Sequence, residues 1–337
     1  MSPPSFFDAH LDLAYLAETG RDMLDDPPRG SDSPAAVTLK SLADSRVRRA
    51  VATVFVQPRG RDDSGENIDG SWCYSSPQQA YEQSVRQMNR YDQWHVDGHV
   101  ILMDRPRTTP SEKLELLLLL EGCAGIRSVN DLNDFYRRGI RILALTWVNG
   151  TRWAGGDQSG GDVTADGLAL LNRADALKMV HDVSHLSEQA FWTVMETTAR
   201  PKIASHSNCR SLLPGKKHPE RHLSDAQIKA LATAQGVIGI NLFSRFLVST
   251  GTAAIQDVVR HIQHIVALVG RTDIIGLGSD MDGGFSALDL PAGIRDPADL
   301  EQLCDAMADT GFTDGQIQQF AWNNWNSFFS KAGLLPR

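Results

Sequence analysis

Near the start of the chain, in FFDAHLDLAYL (residues 6–16), His10 and Asp12 stand two apart inside a run that otherwise reads as buried strand. On an extended strand positions i and i+2 share a face, so the pair would converge on one side while Leu11 and Leu13 point to the other. An imidazole and a carboxylate aimed at one point suit a divalent cation, and equally suit an ordinary buried His–Asp hydrogen bond. The rest of the chain has to choose. Glu121 directly follows the apolar run LLLLL at 116–120, where an unpaired carboxylate would be costly to desolvate. His185 closes HDVSH, His206 sits in ASHS, and Asp280 ends GLGSD. Taken singly, each would pass as a hydrogen-bonded core histidine or a loop cap. Taken together, three imidazoles with carboxylates suit Zn²⁺ or a similar borderline cation. The five ligands His10, Asp12, Glu121, His185 and His206 are too many for one tetrahedral centre with an open position, but two metals sharing one carboxylate would use them. A water trapped between two cations would lose a proton near neutral pH and become a hydroxide nucleophile. Asp280 would take that proton and return it to a leaving amine. Hydrolysis of an amide or ester bond is the expected chemistry.

These residues fall at the ends of short β-rich runs. Strands are expected at 5–11, 49–57, 114–121, 139–147, 178–185, 201–207, 236–243 and 273–280, with helical patterns between them at 77–93, 128–138, 165–177, 187–199, 224–234, 254–269 and 297–308. Several strands lack polar alternation, as parallel strands covered on both faces do. Thr164 and Ser224 read as N-caps. Eight strands alternating with helices lead to an α/β fold, a (β/α)8 TIM-type barrel with minor embellishments, forming a single domain over residues 1–337. A doubly wound open sheet is the alternative, but no GxGxxG or GxxxxGK[ST] follows an early strand. HVILMDR at 99–105 is placed outside the barrel as a small flanking strand. In such a barrel the active site lies at the C-terminal ends of the strands, which is where the histidines and carboxylates gather. Trp322 and Trp325, at helical spacing in FAWNNWNSFF, read as core or interface.

Composition narrows the partners. A net charge of −8 argues against nucleic acid or an anionic membrane, both of which need basic surface. Cys73, Cys123, Cys209 and Cys304 form no CxxC pair, so a zinc ribbon is unsupported and a reducing compartment is expected. No basic n-region precedes a long apolar stretch, and LLLLL is far too short to cross a bilayer. The expectation is a cytoplasmic protein.

DAHLDL, LLEG, HDVSHLS, ASHSNCR, RHLSD and GLGSDMDGG, in that order from residue 8 to about residue 330, resemble the membrane dipeptidases (peptidase family M19), dizinc enzymes of the amidohydrolase superfamily. The resemblance implies two Zn²⁺, one held by His10, Asp12 and Glu121 and the other by Glu121, His185 and His206, with Glu121 bridging. It implies that Asp280 handles the proton and that Arg221 grips the terminal carboxylate of the substrate, which a bidentate guanidinium does well. The chain departs from the pattern at Trp147, which stands where many members carry a histidine; an indole donates a hydrogen bond but does not titrate. Arg152, Asn149 or Arg245 are candidate replacement donors. His222 replaces the usual asparagine beside Arg221, and LLPGKKHPE lengthens that loop. The resemblance therefore implies a metallo-dipeptidase acting on L-Xaa-L-Xaa or L-Xaa-D-Xaa substrates, and admits a homodimer. Two other functions compete: a dizinc amidohydrolase acting on an N-acyl amino acid, lactone or cyclic amide, and a non-catalytic metal-bearing binding protein.

Overall fold

The structure, a computed structural model, describes residues 4–30, 34–61, 67–105 and 113–335. Eight parallel strands close on themselves: β1 (Phe6–Leu11), β2 (Val47–Phe55), β3 (Leu114–Glu121), β4 (Ile140–Ala144), β5 (Val180–Asp182), β6 (Lys202–Ala204), β7 (Val237–Ile240) and β8 (Ile275–Leu277). Closure comes from β1 pairing with β8 at Asp8 and Leu277, while β2 and β3 pair from Arg49 opposite Glu115 to Phe55 opposite Glu121. The run at 99–105 yields the strand Val100–Leu102, which pairs with 114–116 of β3 outside the barrel, as expected. Helices lie between strands, and Thr164 and Ser224 cap two of them by accepting from the N–H groups of Gly167 and Gln227. No helix among the described residues is long and apolar enough to cross a membrane.

Alternation along β3 explains how Glu121 reaches the interior. Leu117 and Leu119 join Val51, Ile142, Val180, Ile203 and Val237 in one buried cluster fed by successive strands, the packed inside of the barrel. Leu116, Leu118 and Leu120 instead join the layer that contains the helices. Glu121 continues the inward series at the mouth.

The first strand departs from the expected regular alternation. Asp8 lies opposite Ala50 but Leu11 lies opposite Ala52, so β1 spends one residue more than β2 over this stretch. Such a bulge re-aims side chains: Phe7 and Ala9 belong to the barrel interior, Leu11 to the outer layer, and His10 turns inward at the rim. Asp12 is no longer in the strand at all; it stands at the N-cap of the short helix Leu13–Glu18. Asp8 accepts the N–H of His10 at 3.3 Å and that of Ser279 at 2.8 Å, tying the bulge to the end of β8.

The later strands are shorter than 178–185, 201–207 and 273–280, because the residues that follow leave the sheet to build the site. His185 (φ 64°) and Asp280 (φ 58°) adopt left-handed backbone conformations, which non-glycine residues rarely hold outside sites that over-determine them. Two glycines are required by close approach. A Cβ at Gly239 or at Gly278 would meet the Ser205 carbonyl at 1.9 Å. The opposite end of the barrel is filled by the C-terminal helix Asn324–Lys331. Trp325 is fully buried and donates its indole N–H to the Leu277 carbonyl at 2.9 Å, and Phe329 stacks on Phe7 at 5.4 Å. Trp325 is thus core, and Trp322 packs against the same cluster.

Candidate metal centre

The structure brings His10, Asp12, Glu121, His185, His206 and Asp280 together, all buried, at the C-terminal rim of the barrel. Glu121 is central. Its Oε2 lies 3.1 Å from His10 Nε2, and its Oε1 lies 3.4 Å from His185 Nε2 and 3.6 Å from His206 Nε2. His10 Nε2 also lies 3.9 Å from Asp12 Oδ1 and 4.0 Å from Asp280 Oδ1. Two donor groups are therefore compact: His10 with Glu121 and His206, and His10 with Asp12 and Asp280.

The residues behind the histidines set their tautomers. Ser205 Oγ lies 2.5 Å from Asp182 Oδ2, 3.0 Å from His10 Nδ1 and 2.8 Å from His206 Nδ1. A hydroxyl has one proton and two lone pairs. With its proton given to the Asp182 carboxylate, it accepts from both Nδ1–H groups. His185 Nδ1 donates in turn to Asp157 Oδ2 at 2.8 Å. Each Nε2 is left facing the centre, where it presents a lone pair once deprotonated, and those of His185 and His206 face each other at 3.0 Å. Two lone pairs at that separation, beside a carboxylate, make a donor set that fits a cation such as Zn²⁺. Thr53 donates its hydroxyl to Asp12 Oδ1, fixing that carboxylate as well.

Without a cation the carboxylates hold a proton on His10: burial opposes its charge, but Glu121, Asp280 and Asp12 push its pKa up to about 10, so a metal binding there displaces that proton. Burial opposes ionisation of Glu121, but His10 beside it overcomes burial and holds the carboxyl well below the usual range. Burial, with the charges of His10 and Arg221 added, keeps His206 neutral. Asp280 goes the other way: burial pushes its carboxyl up to about 7, and the nearby Asp12 and Glu121 add to the shift. Asn241 donates its side-chain N–H to Asp280 Oδ2 at 2.8 Å and orients it.

A cavity of about 340 Å³ opens over this cluster, lined on the way out by Trp147, Arg221 and His222. Arg221 is 5% exposed. Its Nη2 donates to the His206 carbonyl at 2.9 Å, its guanidinium stands 4.9 Å from the Phe246 ring, and its Nε has no partner among the described residues. Trp147 packs edge-on against Phe55 at 5.1 Å and lies 6.2 Å from His185. The two other candidate donors nearby in sequence are not brought to this cavity. Arg152 is exposed, pairs with Asp166 at 2.5 Å and stacks on Trp153. Asn149 is exposed and lines a side cavity of about 20 Å³ rather than the main one. Arg245 does line the main cavity.

Sequence reasoning passed over Asp8, Asp157, Asp182, Ser205 and Asn241. The usable signal was the doubling of polar residues in HDVSH and ASHS: a histidine ligand beside a second polar residue at a strand end often has its orienter there. Asp157 carried no such signal, because the loop at 155–162 approaches His185 only in three dimensions.

Comparison with known proteins places these observations in context. The profile described as membrane dipeptidase (peptidase family M19) matches residues 2–333. The "uncharacterized protein in pqqA 5′ region" of Klebsiella pneumoniae is 32% identical over 236 residues, 66% of this chain and 83% of that protein. The dipeptidase tcpJ of Claviceps purpurea is 25% identical over 98% of this chain and 79% of its own. Among solved structures, a metallopeptidase from Rhodobacter sphaeroides, liganded with a phosphinate mimic of the dipeptide L-Ala-D-Ala, superposes with a TM-score of 0.81 over 98% of this chain and 100% of that one, at 21% identity.

Proposed function

Since the chain belongs to the membrane dipeptidase family, peptidase family M19, and is a metallopeptidase of the dipeptidase type, we propose that it is a binuclear zinc dipeptidase whose ligand sets share Glu121. His10, Asp12 and Glu121 would hold one Zn²⁺, and Glu121, His185 and His206 the other. The observation that carries this reading is the division of labour within one carboxylate: Glu121 Oε2 faces His10 while Oε1 faces His185 and His206. When bound, the metals would supply an activated water and polarise the scissile carbonyl.

The chain's own residues do the rest. Asp280, buried beside the ligands and raised to about 7, accepts a proton at neutral pH and returns it to the departing amine. Arg221 receives the free carboxylate of a dipeptide. Among the described residues no carboxylate lies within ion-pair distance of its guanidinium, and a buried cation without a counter-ion favours an anionic ligand. That demand also limits substrate length, because a longer peptide has no carboxylate at this distance from the scissile bond. Trp147 closes the wall beside His185 and excludes water.

The test is amino-acid release from L,L and L,D dipeptides, each paired with its N-acetylated form, by protein loaded with Zn²⁺. Release from free dipeptides that is abolished by Glu121→Gln supports the reading. Turnover restricted to the N-acetylated forms, or none from protein verified to hold two metals, overturns it.

A further inference from the structure

The cavity holds more positive charge at its outer end than a simple dipeptide needs. Its lining carboxylates, Asp12, Glu121, Asp157 and Asp280, are all at or directly behind the metal-ligand cluster. Its lining cations are Arg221, Lys216, Lys217 and Arg245. If Arg221 takes the terminal carboxylate, three remain, and of these Lys216 and Arg245 are the two that the aromatic wall and the half-buried loop hold at the cavity. We propose that they receive a second anionic group, so that the cavity selects dipeptides whose C-terminal residue has an acidic side chain, aspartate or glutamate. The proposal rests on the dipeptidase reading above and names its substrate class.

The geometry puts the two anion positions side by side. Phe246 and Phe243 meet edge to face at 4.9 Å. The Arg221 guanidinium stands 4.9 Å from the first ring and that of Arg245 stands 5.8 Å from the second, so one aromatic wall carries both cations at cation–π distance. Phe285 stacks on Phe243 at 4.5 Å and holds that wall in place. Lys216 is half-buried, and the contact of its amine is with the Ser249 carbonyl at 3.5 Å. Among the described residues no carboxylate lies within ion-pair distance of Lys216 or Arg245. Burial and the charge of Arg245 both disfavour the Lys216 ammonium. Two such cations facing one cavity repel each other until an anion sits between them. General steering of anions does not account for the arrangement, because the chain as a whole carries a net charge of −8.

Matched dipeptides test this. Ala-Glu and Ala-Asp are compared with Ala-Gln and Ala-Asn, which keep shape and remove charge. The expected result is a preference in kcat/KM on the order of tenfold or more for the acidic member, carried by KM, as uniform binding of a charged group is. Lys216→Met and Arg245→Gln each bring the Ala-Glu to Ala-Gln ratio toward one, and Lys216→Glu turns it toward Ala-Lys. Equal kcat/KM for Ala-Glu and Ala-Gln in the unmodified enzyme overturns the proposal. Should no dipeptide be cleaved, the dipeptidase reading fails by itself. Calorimetric titration of Ala-Glu and Ala-Gln into the metal-free protein then decides this inference separately: tighter binding of Ala-Glu supports it, and equal binding sinks it.

Discussion

Ser205 Oγ stands 2.5 Å from Asp182 Oδ2 and thereby serves two histidines at once, His10 and His206. One hydroxyl, locked by one carboxylate, decides which nitrogen carries the proton on imidazoles that come from β1 and from the end of β6. Ser205→Ala removes both acceptors in a single step. Zinc affinity is expected to fall on the order of 10- to 100-fold, in line with losses of groups behind metal ligands, and to fall for both equivalents. Competition against a chromogenic chelator reads this directly. The melting temperature of the metal-free variant separates it from simple unfolding.

Asp157 makes the contrasting case, because it touches His185 alone among the expected ligands. In Asp157→Ala the second equivalent of Zn²⁺ is expected to weaken while the first holds. Metal content after dialysis against a weak chelator should fall from two equivalents toward one. A loss of both together would mean that His185 and His10 do not belong to separable sets.

Asp280→Asn keeps size and shape but cannot carry a proton. Turnover is expected to drop by roughly 10² to 10⁴, the usual worth of a positioned acid–base group, with two metals still bound. Elemental analysis beside kcat checks both halves. Loss of metal in this variant would assign Asp280 to the ligand set, which its 4.0 Å approach to His10 Nε2 also permits.

His261 supplies a prediction about stability rather than chemistry. Burial, aided by the neighbouring positive charge of Arg260, pushes its pKa down to about 4, while its Nδ1 accepts the N–H of Cys209 at 3.0 Å. The unfolded chain, with an ordinary histidine pKa near 6.5, binds the extra proton first, so acid favours unfolding between pH 6.5 and 4. The contribution lost across that window is about 3 kcal/mol at 1.36 kcal/mol per pKa unit. Asp8, raised by burial to about 6, works in the opposite sense: its folded form holds a proton that the unfolded form releases. The informative quantity is therefore a difference. Urea midpoints at pH 6.5 and 4.5 should show unmodified protein losing stability relative to His261→Asn as pH falls.

Much of this site could be read from the amino-acid order alone, for a physical reason. Parallel strands buried on both faces stand out as apolar runs, and a charged residue ending such a run, as Glu121 ends LLLLL, has few explanations. The sequence could not reveal the bulge in β1. Regular alternation would have sent His10 to the face opposite Ala9, and only the register of β1 against β2 shows the extra residue that turns it inward. The orienters were hidden for a related reason. Asp157 acts on a partner 28 residues away, and although ASHS sets Ser205 beside His206, its other partner, His10, lies 195 residues off; no local period encodes the distant pairings. Arg152 and Asn149 were attractive because they follow Trp147 closely in sequence, yet the chain turns between them and the cavity.

The helix that plugs the base of the barrel also sets an order of events. Phe7 stacks on Phe329, and the Trp325 indole reaches the Leu277 carbonyl, so the innermost layer is completed by residues translated after every strand of the barrel. The segment bearing His10 and Asp12 is made well before them, and its inner face is only partly covered, by the other strands, until then. Nascent chains of this protein should therefore capture zinc late, after the C-terminal helix has emerged, rather than ligand by ligand as the polypeptide grows.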